Sequence, residues 1–298
     1  MPADYMHYIF ADKTIKKGQK KIATLASQGP DIFFFYGLVL LPRKNGKEIR
    51  KFGHHLHRIN PFEVYNYLIN YSLAQEKKKQ DILLSFTKGF IYHYTLDRKM
   101  HPYVLDKSGH NDINKKRKKV SIDHEYLESA MDVLIANHFE YYLEPNSMYD
   151  LPIEQITLVS VMLSNMAKDV FNIDYIKDDT YLKAFKDFKK IKKILYSKNG
   201  KKKKIFDFFF RNTPLSAMSH PVRIKEEYLD CLNEKRAAWV CPNTKKKRTE
   251  SVLELFDAAK IDALMVDEII KKAVRKEDFT ADLKYFIGNI NHLGLKFK

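Results

Sequence analysis

Apolar residues recur every three or four positions over much of the chain, which is the spacing of an amphipathic helix. One such segment follows Asn60-Pro61, and Pro is well tolerated at the first position of a helix. Its apolar positions are Phe62, Tyr65, Leu68, Ile69 and Leu73. Similar patterns predict helices over 79–99, 153–170, 180–195, 224–239 and 251–273. The pattern therefore predicts an all-α fold.

Composition agrees with long helices in one domain. Ten Gly and ten Pro among 298 residues are few turn formers, and 45% apolar residues can fill a sizeable core. No repeat, sustained heptad or low-complexity linker divides the sequence. We expect one helical domain over 1–298, with the candidate chemistry in about 1–145 and a helical scaffold in about 146–298. Trp239 and the run 208–210 are expected to lie in the core.

Polar and turn-forming residues predict where several helices begin and end. The residue before Pro102 disfavours the α conformation, so helix 79–99 should end near His101. Asn45-Gly46 predicts a charged loop over 44–52. Ser121 suits an N-cap for the next helix, and Asp31 suits the same role before the apolar segment 32–41.

The chain is strongly basic, with 53 Lys and Arg against 37 Asp and Glu and a formal net charge of +16. Such a charge suits an anionic partner: nucleic acid, phospholipid headgroups or a phosphorylated small molecule. A second interpretation stays open, in which lysine-rich faces only keep the protein in solution. The longest basic runs are 115–119, 201–204 and 245–248.

Two cysteines, Cys231 and Cys241, are too few for a disulfide framework or a thiolate zinc site. A metal here would need imidazole and carboxylate ligands, as in catalytic zinc, manganese or iron sites. The start of the sequence lacks the basic and apolar regions of a signal peptide. The longest apolar run, 32–41, is too short to span a bilayer. We therefore expect no transmembrane segment and a cytoplasmic protein.

Two pairs of metal-binding residue types stand four positions apart. His93 precedes Asp97, and His124 precedes Glu128. On a helix this spacing puts both side chains of a pair on one face. His93 and Asp97 also continue an apolar face, and buried groups of this kind are costly unless they are paired or liganded. Two converging pairs would make a polynuclear metal centre.

These pairs belong to a longer ordered set. It consists of a His near the start, the Asp of GPD, a His within HHLHR, HYTLDRKMHPY and HEYLE. The set resembles the zinc-dependent phospholipase C family, whose superfamily includes single-strand-specific zinc nucleases. The segments DCLNEKRAAWVCP and ESVLELFDAA resemble the C-terminal half of intracellular bacterial members. The ligand pattern covers roughly the first 130 residues.

The resemblance implies an all-helical fold with two or three Zn²⁺ ions in a cleft. One zinc would take Asp31, His57, His93 and Asp97. A second would take His101, His124 and Glu128. A third would take His7 and share Asp97 as a bridge. His54 is an alternative to His57, which we prefer because it directly precedes the INPFEVY helix start.

The start of the chain departs from the family pattern. Secreted members complete the third metal with a processed N-terminal Trp, whereas this sequence begins MPAD. Three outcomes stay open: weak binding, ligation by the amine of Pro2 after Met removal, or no third ion.

The chemistry that the resemblance implies is hydrolysis of a phosphodiester by a metal-activated water, with Asp31 orienting or deprotonating that water. The substrate would be a phospholipid headgroup or a nucleotide, and an anionic membrane surface is a further expected partner. The basic loop between His101 and His124 is a candidate entry lip.

Two alternatives remain. One is a nuclease or nucleotide phosphodiesterase of the same fold. The other is a non-enzymatic basic protein with a structural metal site that binds anionic membranes or RNA. No aromatic-basic nucleic-acid motif is recognisable. The histidines outside the pattern are expected to be ordinary surface or core residues: His55, His110, His138, His220 and His292.

Overall fold

The computed structural model describes residues 4–15, 20–38, 42–110, 112, 115–141, 144, 148–197, 200–211, 213–219 and 230–297. Helix dominates these residues, and the all-α prediction is confirmed. The first helices are α1 (Asp4–Thr14), α2 (Lys20–Ala26), a 3₁₀ helix (Gly29–Phe35), α3 (Gly46–Arg58), α4 (Phe62–Leu73), α5 (Lys77–Lys107) and α6 (Arg117–His138). The later ones are α7 (Ile153–Phe171), α8 (Thr180–Leu195), α9 (Lys201–Phe209), α10 (Pro214–Ala217), α11 (Val252–Val274) and α12 (Thr280–Ile287). None of the helices described is long and apolar enough to cross a membrane.

Helix α5, with 31 residues, is the central element. It packs against α2, α4 and α11, and most of its middle is buried. Gly89 allows the closest approach, because a Cβ there would lie 2.0 Å from the carbonyl oxygen of Ala23 on α2. The buried middle of α5 carries His93, Asp97 and His101.

The elements around α5 bring the other candidate ligands toward it. Helix α1 carries His7 and packs on α6, which carries His124 and Glu128. The 3₁₀ helix carries Asp31 and packs against α3 and α8. Helix α3 carries His57.

The predicted end of the central helix near His101 is wrong, because α5 continues through Pro102 to Lys107. Proline removes one helical hydrogen bond and costs about 3 kcal/mol in a helix interior. Three residues after it, Tyr103, Val104 and Leu105, are buried, and each stabilises by roughly 1.5–3 kcal/mol. Their burial outweighs the loss.

Three other local predictions are wrong. The segment 44–52 lies mostly in α3, since Ile49 and Phe52 are buried on one face of that helix. Helix α6 begins at Arg117, so Ser121 lies inside it. Asp31 lies inside the 3₁₀ helix and is not its N-cap. Tertiary burial overrides the local signals at Asn45-Gly46 and at Asp31. The added first turn of α6 is exposed, and there Lys119 pairs with Asp123 four positions later.

Two predictions in the second half also need correction. The helix predicted over 224–239 falls partly outside the described residues. Its end is instead a strand, β1 (Trp239–Val240), which pairs antiparallel with β2 (Lys247–Arg248). Trp239 is buried as expected, but Phe208, Phe209 and Phe210 are 80%, 70% and 40% exposed. Helix α9 packs mainly on the short α10, so most of its surface faces solvent.

Candidate metal centre

All eight predicted ligands come together around the middle of α5. Their donor atoms form three groups, within each of which the atoms lie inside 4.8 Å of one another. The groups are His7, His93 and Asp97; Asp31, His57 and His93; and His101, His124 and Glu128. All eight residues are buried except His124, which is partly exposed.

The group around Asp31 has the dimensions of a tetrahedral zinc site. His57 Nε2 lies 3.0 Å from Asp31 Oδ1, 3.4 Å from His93 Nε2 and 3.8 Å from Asp97 Oδ2. Ligands at about 2.0–2.1 Å from one tetrahedral zinc stand roughly 3.3 Å apart. The structure places His57 here, whereas His54 is exposed and packs on the Phe34 ring at 4.3 Å.

Backbone carbonyls fix how these imidazoles present their nitrogens. His57 Nδ1 lies 2.8 Å from the Gly53 carbonyl oxygen, and His93 Nδ1 lies 3.0 Å from that of Ser27. A carbonyl only accepts, so each Nδ1 carries a proton and each Nε2 faces the cluster. Each Nε2 also lies 3.0 Å from a carboxylate oxygen, that of Asp31 or Asp97, so the space among these atoms suits either shared protons or a cation. Oriented imidazoles of this kind are typical of metal ligands.

Asp97 presents its two carboxylate oxygens to different imidazoles. Oδ2 lies 3.0 Å from His93 Nε2, and Oδ1 lies 3.1 Å from His7 Nε2. Burial would raise the pKa of this carboxyl, but the charges of His93 and His101 and the hydrogen bonds from His7 and His93 hold it well below its usual value. An ionised carboxylate whose two oxygens face different imidazoles can bridge two cations.

The third group joins α5 to α6. Glu128 Oε1 lies 3.1 Å from His124 Nε2 and 3.6 Å from His101 Nε2. Burial opposes ionisation of Glu128, yet the charges of His124 and His101 help to hold its pKa below the usual value. Burial lowers the pKa of His101, which favours the neutral imidazole that a metal requires.

His7 is positioned by contacts that fix helix α1. Asp132 on α6 accepts hydrogen bonds from the backbone N–H groups of Tyr5 and Met6 at 3.1 and 2.8 Å. The Ser27 hydroxyl donates to the carbonyl of His7 at 3.0 Å, and the His7 ring stacks on His93 with centroids 4.3 Å apart. Among the described residues, buried His7 Nδ1 has no hydrogen-bond partner.

Gly29 allows the 3₁₀ helix to pack directly on the His93 ring. Its φ of +55° suits glycine, and a Cβ there would lie 2.3 Å from the imidazole carbon Cδ2. A side chain at position 29 would therefore displace the ring that two of the three groups share.

Sequence reasoning missed the role of His292. Its backbone carbonyl accepts from His101 Nδ1 at 3.0 Å, and its buried ring lies 5.1 Å from His57. Tyr65 Oη lies 3.1 Å from His292 Nε2, and burial holds the pKa of His292 well below its usual value. A contact between a side chain and a backbone carbonyl 191 positions away cannot be recognised from residue type or spacing. The other unpatterned histidines that the structure describes, His55, His110 and His138, are exposed.

A cavity of about 780 Å³ opens over the centre. Its floor contains seven of the eight candidate ligands, all except His93. Its walls are mainly apolar: Phe34, Phe35, Leu38, Ile191, Ile194, Leu195, Phe206, Phe210, Met218 and Leu293.

A second cavity, of about 730 Å³, lies beside the first. The two share His54, Arg58, His124 and Glu125, and the second is also lined by residues 110, 112, 115 and 117 of the predicted entry lip.

No family model, curated protein or solved structure matches the chain. The predicted ligand role of the Pro2 amine lies outside the described residues. The residues themselves therefore carry the functional conclusion.

Proposed function

We propose that the protein is a metal-dependent phosphoric-ester hydrolase of the phospholipase C type, acting on phosphodiesters. The observation that carries the proposal is the pair of Nε2 atoms of His57 and His93. They lie 3.4 Å apart while both Nδ1 atoms are held by carbonyls. With the buried carboxylates of Asp31 and Asp97 beside them, this donor set fits Zn²⁺, and Mn²⁺ or iron are alternatives.

Bound divalent ions would withdraw charge from the phosphodiester oxygens and lower the pKa of a coordinated water. Asp31 lines the cavity. Burial acts to raise its pKa, but the hydrogen bond and charge of His57 lower it overall. Asp31 is therefore ionised at neutral pH, and it orients the attacking water or accepts its proton. Arg58, which lines both cavities, attracts the anionic substrate.

The cavity walls favour a phospholipid over a nucleotide. A phosphodiester on the polar floor would place attached acyl chains along walls built from Leu, Ile, Phe and Met side chains. A nucleotide would expose its ribose hydroxyls to the same apolar surface, which costs free energy without hydrogen-bond partners. Both cysteines are free thiols, which fits the reducing cytoplasm.

Metal content and diester hydrolysis test this function together. The purified protein should carry at least two equivalents of metal and hydrolyse bis-p-nitrophenyl phosphate, and both properties should be lost in Asp97→Ala. Asp81→Ala, an exposed carboxylate on the same helix, is the matched control and should keep both. The proposal would be refuted if the protein bound less than one equivalent of metal and Asp97→Ala changed neither metal content nor hydrolysis. Cleavage of single-stranded DNA but not phosphatidylcholine would favour a nuclease.

A further inference from the structure

Helix α9 exposes large apolar side chains beside a run of lysines. Ile205, Phe208 and Phe209 are 57%, 80% and 70% exposed. Its lysines Lys201, Lys202 and Lys204 are exposed, and Arg211 follows two residues after the helix. We call the six exposed residues of α9 the basic-aromatic face. Exposed Phe next to clustered Lys is typical of helices that lie in the interface of an anionic bilayer.

Carboxylates are scarce on α9 itself. The only carboxylate on α9 is Asp207, which pairs with the buried Lys203. The run at 77–79 provides a contrast, because Lys77 and Lys79 pair with Asp81 and Glu76. That second lysine run forms the first turn of the largely buried α5, whereas the lysines of α9 are followed by exposed aromatics. The basic-aromatic face therefore complements a partner that carries negative charges above an apolar layer.

The basic-aromatic face is continuous with the mouth of the main cavity. Phe206 of α9 and Phe210, the residue directly after its end, line the cavity walls, and the exposed Phe208 and Phe209 lie between them in the sequence. Leu38 and Ile194 also line the cavity, and they are 55% and 51% exposed. An apolar path therefore runs from solvent at α9 to the metal-binding floor.

We propose that the basic-aromatic face docks the protein on an anionic lipid bilayer, with Phe208 and Phe209 entering the headgroup–acyl boundary and the lysines contacting lipid phosphates. Docking in this orientation turns the cavity mouth toward the bilayer, so a lipid can enter without crossing water. Docking itself requires no metal. The delivery of lipid rests on the proposed function.

Vesicle flotation tests the docking step. The full chain should float with vesicles containing one-third phosphatidylglycerol, and bind at least tenfold less to pure phosphatidylcholine or in high salt. Phe208→Ser/Phe209→Ser should lower the partition coefficient at least tenfold. Ile261→Ser, an equally exposed apolar change on α11, should leave it unchanged. Replacing Lys201, Lys202 and Lys204 with alanine should weaken vesicle binding more than replacing the lysines at 77–79 with alanine.

The outcomes separate docking from catalysis. Equal binding by the Phe208→Ser/Phe209→Ser variant and wild type, or no binding to either vesicle type, overturns the docking proposal. A dimer that this variant converts to a monomer would assign the face to a second copy and would also overturn it. Vesicle binding without diester hydrolysis would refute the proposed function but not the docking proposal. Hydrolysis of bis-p-nitrophenyl phosphate without vesicle binding would refute the docking proposal but not the proposed function.

Discussion

Asp97→Asn is the sharpest perturbation of the centre, because it keeps the shape of the side chain and removes its charge. Asp97 lies within 3.1 Å of both His7 and His93, and it also lies 3.8 Å from His57. The variant therefore weakens the two metal groups built on these histidines. The group of His101, His124 and Glu128 keeps its own carboxylate.

The stabilisation by zinc gives the expected magnitude. At a free zinc concentration 100 times the Kd, each filled group adds about 2.7 kcal/mol to the free energy of unfolding. An unfolding entropy of about 2.1 cal/mol/K per residue gives roughly 0.6 kcal/mol/K for 298 residues. His93 has one nitrogen free for a metal, so the two groups that contain it form one site. Two filled sites should then raise the Tm of wild type by about 9 °C, and one filled site should raise that of Asp97→Asn by about 4 °C.

Differential scanning calorimetry with and without buffered zinc measures both shifts, and elemental analysis counts the bound ions. Asp106→Asn changes a half-buried carboxylate on the same helix and should behave like wild type. Equal zinc shifts in wild type and Asp97→Asn would refute the bridging role. A wild-type shift near zero would refute the metal centre.

Three further predictions address the surroundings of the centre. Gly29→Ala should lower the free energy of unfolding by about 2–5 kcal/mol in urea titrations, because it strains a left-handed backbone and overlaps an imidazole; an unchanged midpoint would contradict the packing. His57→Ala should weaken zinc binding more than about 100-fold in competition titrations, whereas His54→Ala should change it less than about threefold; the reverse order would make His54 the ligand. Burial and the charge of Asp4 raise the pKa of Asp132 well above its usual value, so its contribution to stability is present at low pH and lost as pH rises. Asp132→Asn should therefore gain stability relative to wild type as the pH rises above about 4 in urea titrations, and a constant difference would refute this.

The sequence predicted the parts of the centre that depend on local spacing. Pairs four residues apart, such as His93 and Asp97, share a helix face whatever the rest of the fold does. The carbonyls that orient the rings could not be predicted in this way. The carbonyl of His292 reaches His101 from 191 positions away, and every residue type has a carbonyl. Helix ends were also predicted poorly, because burial after Pro102 outweighed a strong local signal.

The misplaced aromatic run over 208–210 shows why apolar content alone does not predict burial. At about 100° per residue, Ile205, Phe208 and Phe209 lie on one side of α9, and Lys201, Lys202 and Lys204 lie on the same side. A neighbour that buried this side would bury the lysines together with the aromatics, which costs free energy for each unpaired charge. The aromatics favour an apolar contact, but the lysines need solvent or anions. The surface of a bilayer satisfies both requirements at once, because it offers anions and an apolar layer on the same side.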